Sequence, residues 1–191
     1  MDIVRCPWCE GDELYTAYHD TEWGVPLYDD QKLFELLILE GAQAGLSWIT
    51  ILRRREGYRA AFNGFDIQKI ARYKDRDIER LMGDARIIRN RRKIISAKDN
   101  ARAFLALQKA AGSFSAWLWA HVDGKPVVNH PKTMSDIPAV SPLSETISKE
   151  LKNLGFTFVG PTIMYAYLQS AGLVNDHLVD CFTRRTPPGK D

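Results

Sequence analysis

The stretch Leu33-Phe34-Glu35-Leu36-Leu37-Ile38-Leu39-Glu40 constrains this chain more than any other. It is apolar on nearly every helical face, so a helix formed there has to be buried on all sides rather than laid on a surface. The run ends in a carboxylate, Glu40. Burying an unpaired charge costs several kcal/mol, roughly, so Glu40 needs a partner. After it come the small residues Gly41-Ala42-Gln43-Ala44-Gly45, then Leu46, Ser47 and Trp48. An acid, a gap and an indole suit a planar ligand with hydrogen-bond donors on its edge. A partly buried glutamate paired with a nearby arginine is the other reading of the same residues.

The rest of the chain reads as helix with few strands. Short helices are expected at Ile67–Ala71 and Ile78–Met82, and a longer one from about Ala85 to Ala110. The long helix would be closed by Gly112 and followed by an aromatic helix from Phe114 to His121. Gly124, Pro126, Pro131 and Pro138 mark residues 122–140 as a long loop. Ser141 is placed to cap a helix with Pro142 in its first turn, its stripe being Leu143, Ile147, Leu151 and Leu154. A further helix starts near Pro161. At 191 residues and 45% hydrophobic the chain is expected to form one α-helical domain over 1–182, with a flexible tail at 183–191. It has no run of ~20 apolar residues and no signal-peptide pattern at Met1–Cys6, so a cytoplasmic protein is expected. A net charge of +2 does not argue for nucleic acid. The basic runs Arg53–Arg55 and Arg86–Lys93 are read first as solvated helix faces.

Leu154-Gly155-Phe156-Thr157-Phe158-Val159-Gly160-Pro161-Thr162 joins two of these helices, two glycines flanking an apolar bulge. Glycines allow close backbone approach, and the amides that open a helix point outward with the positive end of its dipole behind them. A helix-hairpin-helix element grips a nucleic-acid phosphate in this way. A plain corner between helices, held by Phe156 and Phe158 packing inward, is the alternative.

Cys6, Cys9 and His19 lie near one end of the chain, His177 and Cys181 near the other. On a helix His177 and Cys181, four residues apart, would share one face and could ligate one metal. With a Cys/His pair from each end they would form a closed Cys₂His₂ zinc site, structural because no position is left open for water. Unrelated buried thiols and histidines would look the same in sequence. Cys6-Pro7-Trp8-Cys9 leaves a redox CxxC, or Cys9 in place of His19, open as well.

Taken in order, these segments closely resemble the DNA-3-methyladenine glycosylase I family of the helix-hairpin-helix glycosylase superfamily. The resemblance runs through Arg5-Cys6, Leu14–Asp20, Glu22–Pro26, Leu39–Thr50, Asp84–Arg89, Gly155–Gly160 and Gly172–His177. It implies an all-α fold with a hairpin element near 144–172, its chain ends tied by one structural zinc on Cys6, His19, His177 and Cys181, and Cys9 outside the set. It implies that Glu40, Tyr18 and Trp48 hold the damaged base, that Tyr15 and Trp23 line the pocket, and that Gly45 and Leu46 enter the gap left by the flipped nucleotide. Gly155, Gly160 and Thr162 would meet the DNA backbone. Glu40, ionised and desolvated, would be the residue on which catalysis turns. The implied partners are double-stranded DNA carrying 3-methyladenine and the free base as product, with the protein a monomer that uses no membrane.

Many relatives in the superfamily place an aspartate some twenty residues beyond the hairpin, and some add a lysine. Here no lysine follows in Pro161–Ser170, and Asp176 adjoins an expected metal ligand. A monofunctional hydrolase is therefore expected. A zinc-stapled, non-catalytic DNA-binding module, a thiol redox protein built on Cys6 and Cys9, and an alkylpurine glycosylase of broader base range are the alternatives.

Overall fold

The computed structural model describes residues 3–185 and is mainly helical. Helix α1 (Glu13–Thr21) is capped by Asp12, whose carboxylate accepts from the Tyr15 amide. The apolar run forms α2 (Asp30–Gln43), capped by Asp29. Its residues Leu33, Phe34, Leu37, Ile38 and Leu39 are buried, and so is Glu40. Short helix α3 (Trp48–Leu52) packs against it, and α4 (Arg55–Ala61) is tied to it by the Arg59–Glu35 ion pair; α5 (Ile67–Ala71) and α6 (Asp75–Met82) pack on the long α7 (Arg91–Ala111), which α8 (Phe114–Ala120) follows. Helix α9 (Pro142–Asn153) and helix α10 (Pro161–Ser170) complete the body, with a four-residue α11 (Phe182–Arg185) at the end of the described chain. No helix among the described residues is long and apolar enough to cross a membrane.

The caps that end these helices are local and mostly follow from the residues. Ser141 exchanges hydrogen bonds with Ser144 at the start of α9, and Gly112 closes α7 at a φ of 86° that favours glycine. Helix α7 starts at Arg91 rather than near Ala85. Asn90 accepts from the Lys93 amide and fixes the start there, while Asp84 folds residues 84–86 back on themselves through the Arg86 amide. Ile87 is buried from this turn, not from the helix. Leu154, expected on the buried stripe of α9, is its C-cap and is exposed. The loop at 122–140 holds one two-residue strand, β1 (Val127–Val128), paired in parallel with β2 (Val174–Asn175). Of the expected flexible tail, Thr183 and Arg184 belong to α11, and 186–191 lie outside the described residues.

Part of the basic charge is engaged within the molecule. Arg55 pairs with Glu22, Arg53 with Asp12, Arg86 with Asp84 and Arg91 with Glu79. Glycine matters structurally where helices meet. A Cβ on Gly172 would lie 2.4 Å from the Val25 carbonyl carbon, at a φ of +73°. Only glycine lets the 22–27 loop lie against the end of α10, where Gly24 and Leu27 donate to the carbonyls of Gln169 and Ala171.

Candidate functional site

Glu40 sits three turns into α2, 2% exposed. Its Oε1 accepts from the Ser170 hydroxyl at 2.8 Å, and Ser170 in turn accepts from the Tyr18 hydroxyl at 3.1 Å. Oε2 is buried without a partner among the described residues, as is Trp48 Nε1. No arginine reaches the carboxylate, so the salt-bridge reading does not describe it. Burial pushes the Glu40 pKa up to about 8, and the Ser170 hydrogen bond only partly offsets this. The sequence leads one to expect an ionised acid; burial at this position instead favours the protonated form. Burial also pushes the Tyr18 phenol up.

Glu40, Tyr18, Trp48, Tyr15 and Trp23 all line one pocket of about 200 Å³, with Trp8, Gln43, Met134, Ile137 and Gln169 among the others. That is below the ~300–1,000 Å³ of sites for drug-sized ligands, which favours a small occupant. Tyr18 and Trp48 face each other at 5.6 Å between ring centroids, tilted by 50°. Trp8 packs edge-on against Tyr15 and Trp23 at 4.8 and 5.0 Å and braces the wall. A second cavity, about 250 Å³, shares Tyr18, Trp48 and Ser170 but opens among the ion pairs of Arg55 and Arg59. It does not reach Glu40, and the acid marks the first pocket as the chemical one.

Cys6, His19, His177 and Cys181 are all buried, their ligand atoms within 4.8 Å of one another. Cys6 Sγ lies 3.7 Å and Cys181 Sγ 3.6 Å from His177 Nδ1, and Cys181 Sγ lies 3.5 Å from His19 Nε2. This group could bind a metal ion. His177 and Cys181 meet without the helix their spacing invites: residues 176–181 form a turn in which the Cys181 amide donates to the Leu178 carbonyl. The outer ring nitrogens are also committed. His19 Nδ1 faces Asp20 at 2.8 Å, itself held by a bidentate Arg5, and His177 Nε2 faces the Trp23 carbonyl at 3.1 Å. Each imidazole thus offers its other nitrogen to the cluster. The closeness of the two thiols, with the imidazoles beside Cys181, lowers the pKa of Cys181 and raises that of Cys6. Burial acts against a proton on His19, but bonds to Cys181 and Asp20 outweigh it and raise its pKa. Cys9 stands apart, its thiol donating to the Cys6 carbonyl at 3.1 Å. It does not pair with Cys6, and the redox reading finds no support in this geometry.

The turn between α9 and α10 places Gly155 at a φ of +91° and Gly160 as the N-cap of α10. Phe156 and Val159 are buried, whereas Phe158 is only half-buried and rests on Gly41 of α2. The amides of Phe158, Val159, Gly160, Thr162 and Ile163 have no partner among the described residues. Asn100 of α7 clamps Thr157 on both sides, accepting from its amide at 2.8 Å and donating to its carbonyl at 2.9 Å. Just beyond the same end of α2, Leu46 is 41% exposed on a turn where Gly45 has a φ of +79°. Lys93 holds that turn, donating to the carbonyls of Ala42 and Ala44 at 2.8 and 2.6 Å. Ser170, Asn100, Lys93 and Asp20 went unnoticed in the sequence because each works through a residue distant in the chain or, for Asp20, through a fold-dependent contact.

Residues 8–184 match the family model described as methyladenine glycosylase. The chain is 51% identical over 179 residues to DNA-3-methyladenine glycosylase 1 of Escherichia coli (strain K12), covering 94% of this chain and 96% of that protein. A solved structure of 3-methyladenine DNA glycosylase I superposes with a TM-score of 0.91 at 50% identity, covering 94% of this chain and 98% of the other. A single-substitution variant of 3-methyladenine DNA glycosylase I, solved in complex with 3-methyladenine, superposes with a TM-score of 0.92 at 40% identity, over 98% of this chain and 99% of the other.

Proposed function

The chain belongs to the methyladenine glycosylase family, and from that membership and the pocket we infer a base-excision repair enzyme. It hydrolyses the N-glycosidic bond of 3-methyladenine in alkylated DNA, releasing the free base and leaving an abasic site. The observation that carries the assignment of roles is the unpaired Oε2 of Glu40, buried beside Tyr18 and Trp48 in a pocket of small volume. N3-methylation places a positive charge on the base in DNA. The base departs neutral from an oxocarbenium-like sugar, so little acid catalysis is required. The enzyme's tasks are to take the base out of the stack, hold it and admit water to the sugar. Trp48 and Tyr18 offer faces to the cationic ring, and Glu40 offers an acceptor to the adenine amino group. The cation entering the pocket draws the proton from Glu40, because an opposite charge at contact favours the ionised form.

Selectivity follows from the same carboxylate. Once ionised it only accepts hydrogen bonds, and adenine presents an amino donor where guanine presents O6. Repulsion between lone pairs, with a desolvated carboxylate left unpaired, disfavours 7-methylguanine even though that base is also cationic. The test is the ratio of 3-methyladenine to 7-methylguanine released from methylated DNA by wild type and by Glu40→Gln. Comparable release of both bases by wild type, or unchanged 3-methyladenine release by the variant, would overturn the role of Glu40. No lysine lines the pocket among the described residues, in keeping with a glycosylase without lyase activity.

Zinc is the ion proposed for the Cys/His cluster. Bonds of ~2.3 Å to sulfur and ~2.0–2.1 Å to nitrogen at the tetrahedral angle require S···N edges of about 3.6 Å. Three of the four S···N edges, at 3.5, 3.6 and 3.7 Å, fit that requirement, and the four ligand atoms together lie within 4.8 Å. The ion would bind Cys6, His19, His177 and Cys181 and supply fold stability. Double-stranded DNA is proposed to lie across the α9–α10 turn, whose free amides suit a phosphate in the manner of a helix-hairpin-helix element, with Gly160 and Thr162 closest and Gly155 shaping the turn. Helix α10 spans about 14 Å from this turn to Ser170 in the pocket, at ~1.5 Å per residue, so it ties backbone grip to base capture. Leu46, exposed on the Gly45 turn, is proposed to fill the space vacated by the flipped nucleotide.

A further inference from the structure

The adenine amino group carries two hydrogens, and Glu40 Oε2 can take only one well. In a desolvated pocket the second N–H needs its own acceptor or loses its hydration uncompensated. Among the oxygen-bearing side chains of the pocket, Tyr18 and Ser170 are committed to the chain that ends on Glu40. Neither the Tyr15 hydroxyl nor the Gln43 amide has a fixed hydrogen-bond partner among the described residues, so nothing sets whether either turns a donor or an acceptor to the ligand. Gln169 is different. Its Nε2 donates to Asp176 Oδ2 at 2.7 Å, and the residue lines the pocket.

Asp176 is 1% exposed and contacts no cationic side chain. Its Oδ1 accepts from Asn129 Nδ2 at 2.7 Å, and its Oδ2 accepts from the Tyr165 hydroxyl at 2.6 Å as well as from Gln169. Every neighbour is a donor, so Asp176 is an acceptor through both oxygens. A glutamine amide is ambidextrous when left alone: turned one way it accepts, turned over it donates. Facing a carboxylate, it must present its NH₂ outward to the acid and turn its carbonyl the other way. We infer that Gln169 Oε1 is a second acceptor for the amino group of the bound base, and that Asp176 is the positioning residue that forbids the amide from turning over. The inference rests on the glycosylase reading above and adds a specificity device to it. A turned Gln169 would offer NH₂ to guanine O6; a fixed one meets O6 with a second lone pair. Discrimination against guanine is thereby set partly by a buried acid outside the pocket.

The experiment uses zinc-loaded wild type, Gln169→Met and Asp176→Asn, with release of 3-methyladenine and 7-methylguanine from methylated duplex DNA and binding of free 3-methyladenine as readouts. Gln169→Met keeps the side-chain length and is expected to weaken binding of the free base about tenfold, the worth of one buried hydrogen bond. Asp176→Asn lets the amide turn either way. It is expected to lower the ratio of 3-methyladenine to 7-methylguanine released by about tenfold, with zinc content unchanged. A purely structural role for Asp176 would slow both bases alike and leave that ratio where it was; this result would overturn the inference. Should Asp176→Asn lose zinc or fail to fold, Gln169→Met decides alone: affinity within twofold of wild type overturns the inference, and a tenfold loss upholds Gln169 as an acceptor. Wild type that releases no 3-methyladenine would sink the underlying function instead, so the two failures are distinct.

Discussion

Replacing Glu40 by glutamine should make the protein more stable while making it a worse enzyme. The carboxyl is 2% exposed, has one hydrogen bond through Ser170 and leaves Oε2 unpaired. Its pKa rises from an ordinary 4.5 to about 8 on folding. A native acid with a raised pKa binds its proton more tightly than the unfolded chain does. Its contribution is therefore fully favourable below about pH 4.5 and is lost as pH rises through about 8. At about 1.4 kcal/mol per pH unit, the ionised form costs about 5 kcal/mol at pH 9, and about 3 kcal/mol of that is present by pH 7. Five is a ceiling, since water entering the pocket would soften it. An amide of the same shape does not titrate and carries no such cost.

The assay is urea unfolding of wild type and Glu40→Gln, both metal-loaded, at half-unit steps from pH 5 to 9. The difference in unfolding free energy should widen steadily in favour of the variant between pH 5 and 8 and then level off. A difference independent of pH would refute the reasoning. It would mean that Glu40 already has a partner in the free enzyme, or that it titrates at an ordinary value. A widening difference together with a large loss of 3-methyladenine release would place this residue among those kept for function at the expense of stability.

The same acid predicts that kcat/KM for methylated DNA rises with pH up to about 8, because it reports ionisation in the free enzyme. In Glu40→Gln this limb should be missing; an identical profile in the variant would contradict the assignment. Purified protein should hold one zinc by metal analysis. Cys181→Ala should lose it together with several kcal/mol, roughly, of stability, while Cys9→Ser, whose thiol points to the Cys6 carbonyl, should keep it. Gly160→Leu should fold normally, since a Cβ there meets nothing within 4 Å. It should weaken binding to duplexes of any sequence and leave free 3-methyladenine binding intact; unchanged binding to an abasic-site duplex would reduce the turn to a corner between helices.

The parts of this molecule legible in sequence are those written locally. The all-apolar run could only be a buried helix, and Ser141-Pro142 and Gly112 punctuate helices by their own chemistry. Glu40 could be singled out because it is an acid in a run that leaves no face for one. What stayed hidden is polar and long-range. Ser170 reaches Glu40 across 130 residues, Asn100 reaches Thr157 across 57, and Lys93 reaches Ala44 across 49. Nothing in the spacing of a serine, an asparagine or a lysine announces a partner so distant. His177 and Cys181 are the converse case: their spacing evokes a helix, yet a turn brings them together because both are drawn to Cys6 and His19. The start of α7 was misplaced for a related reason, since Ile87 continues the apolar stripe in sequence but Asn90 supplies the cap.

The Cys/His group and the Glu40 pocket are built on the same short helix, so on the function proposed above the group would support recognition without taking part in the reaction. Tyr18 and His19 are neighbours on α1, separated by ~100° around its axis, so one faces the pocket while the other faces the cluster. Trp23 does both at once: its ring lines the pocket, and its carbonyl meets His177 at 3.1 Å. Among the first described residues, Arg5 pairs with Asp20 and the Val4 carbonyl accepts from the Phe182 amide. A pocket that selects through an unpaired carboxylate cannot let its aromatic wall relax, because relaxation would admit water to Oε2 and weaken the discrimination against bases that cannot pair with it. On that reading the wall is held from behind by four side chains drawn from both ends of the described chain, and its rigidity would depend on a metal centre that does not line the pocket.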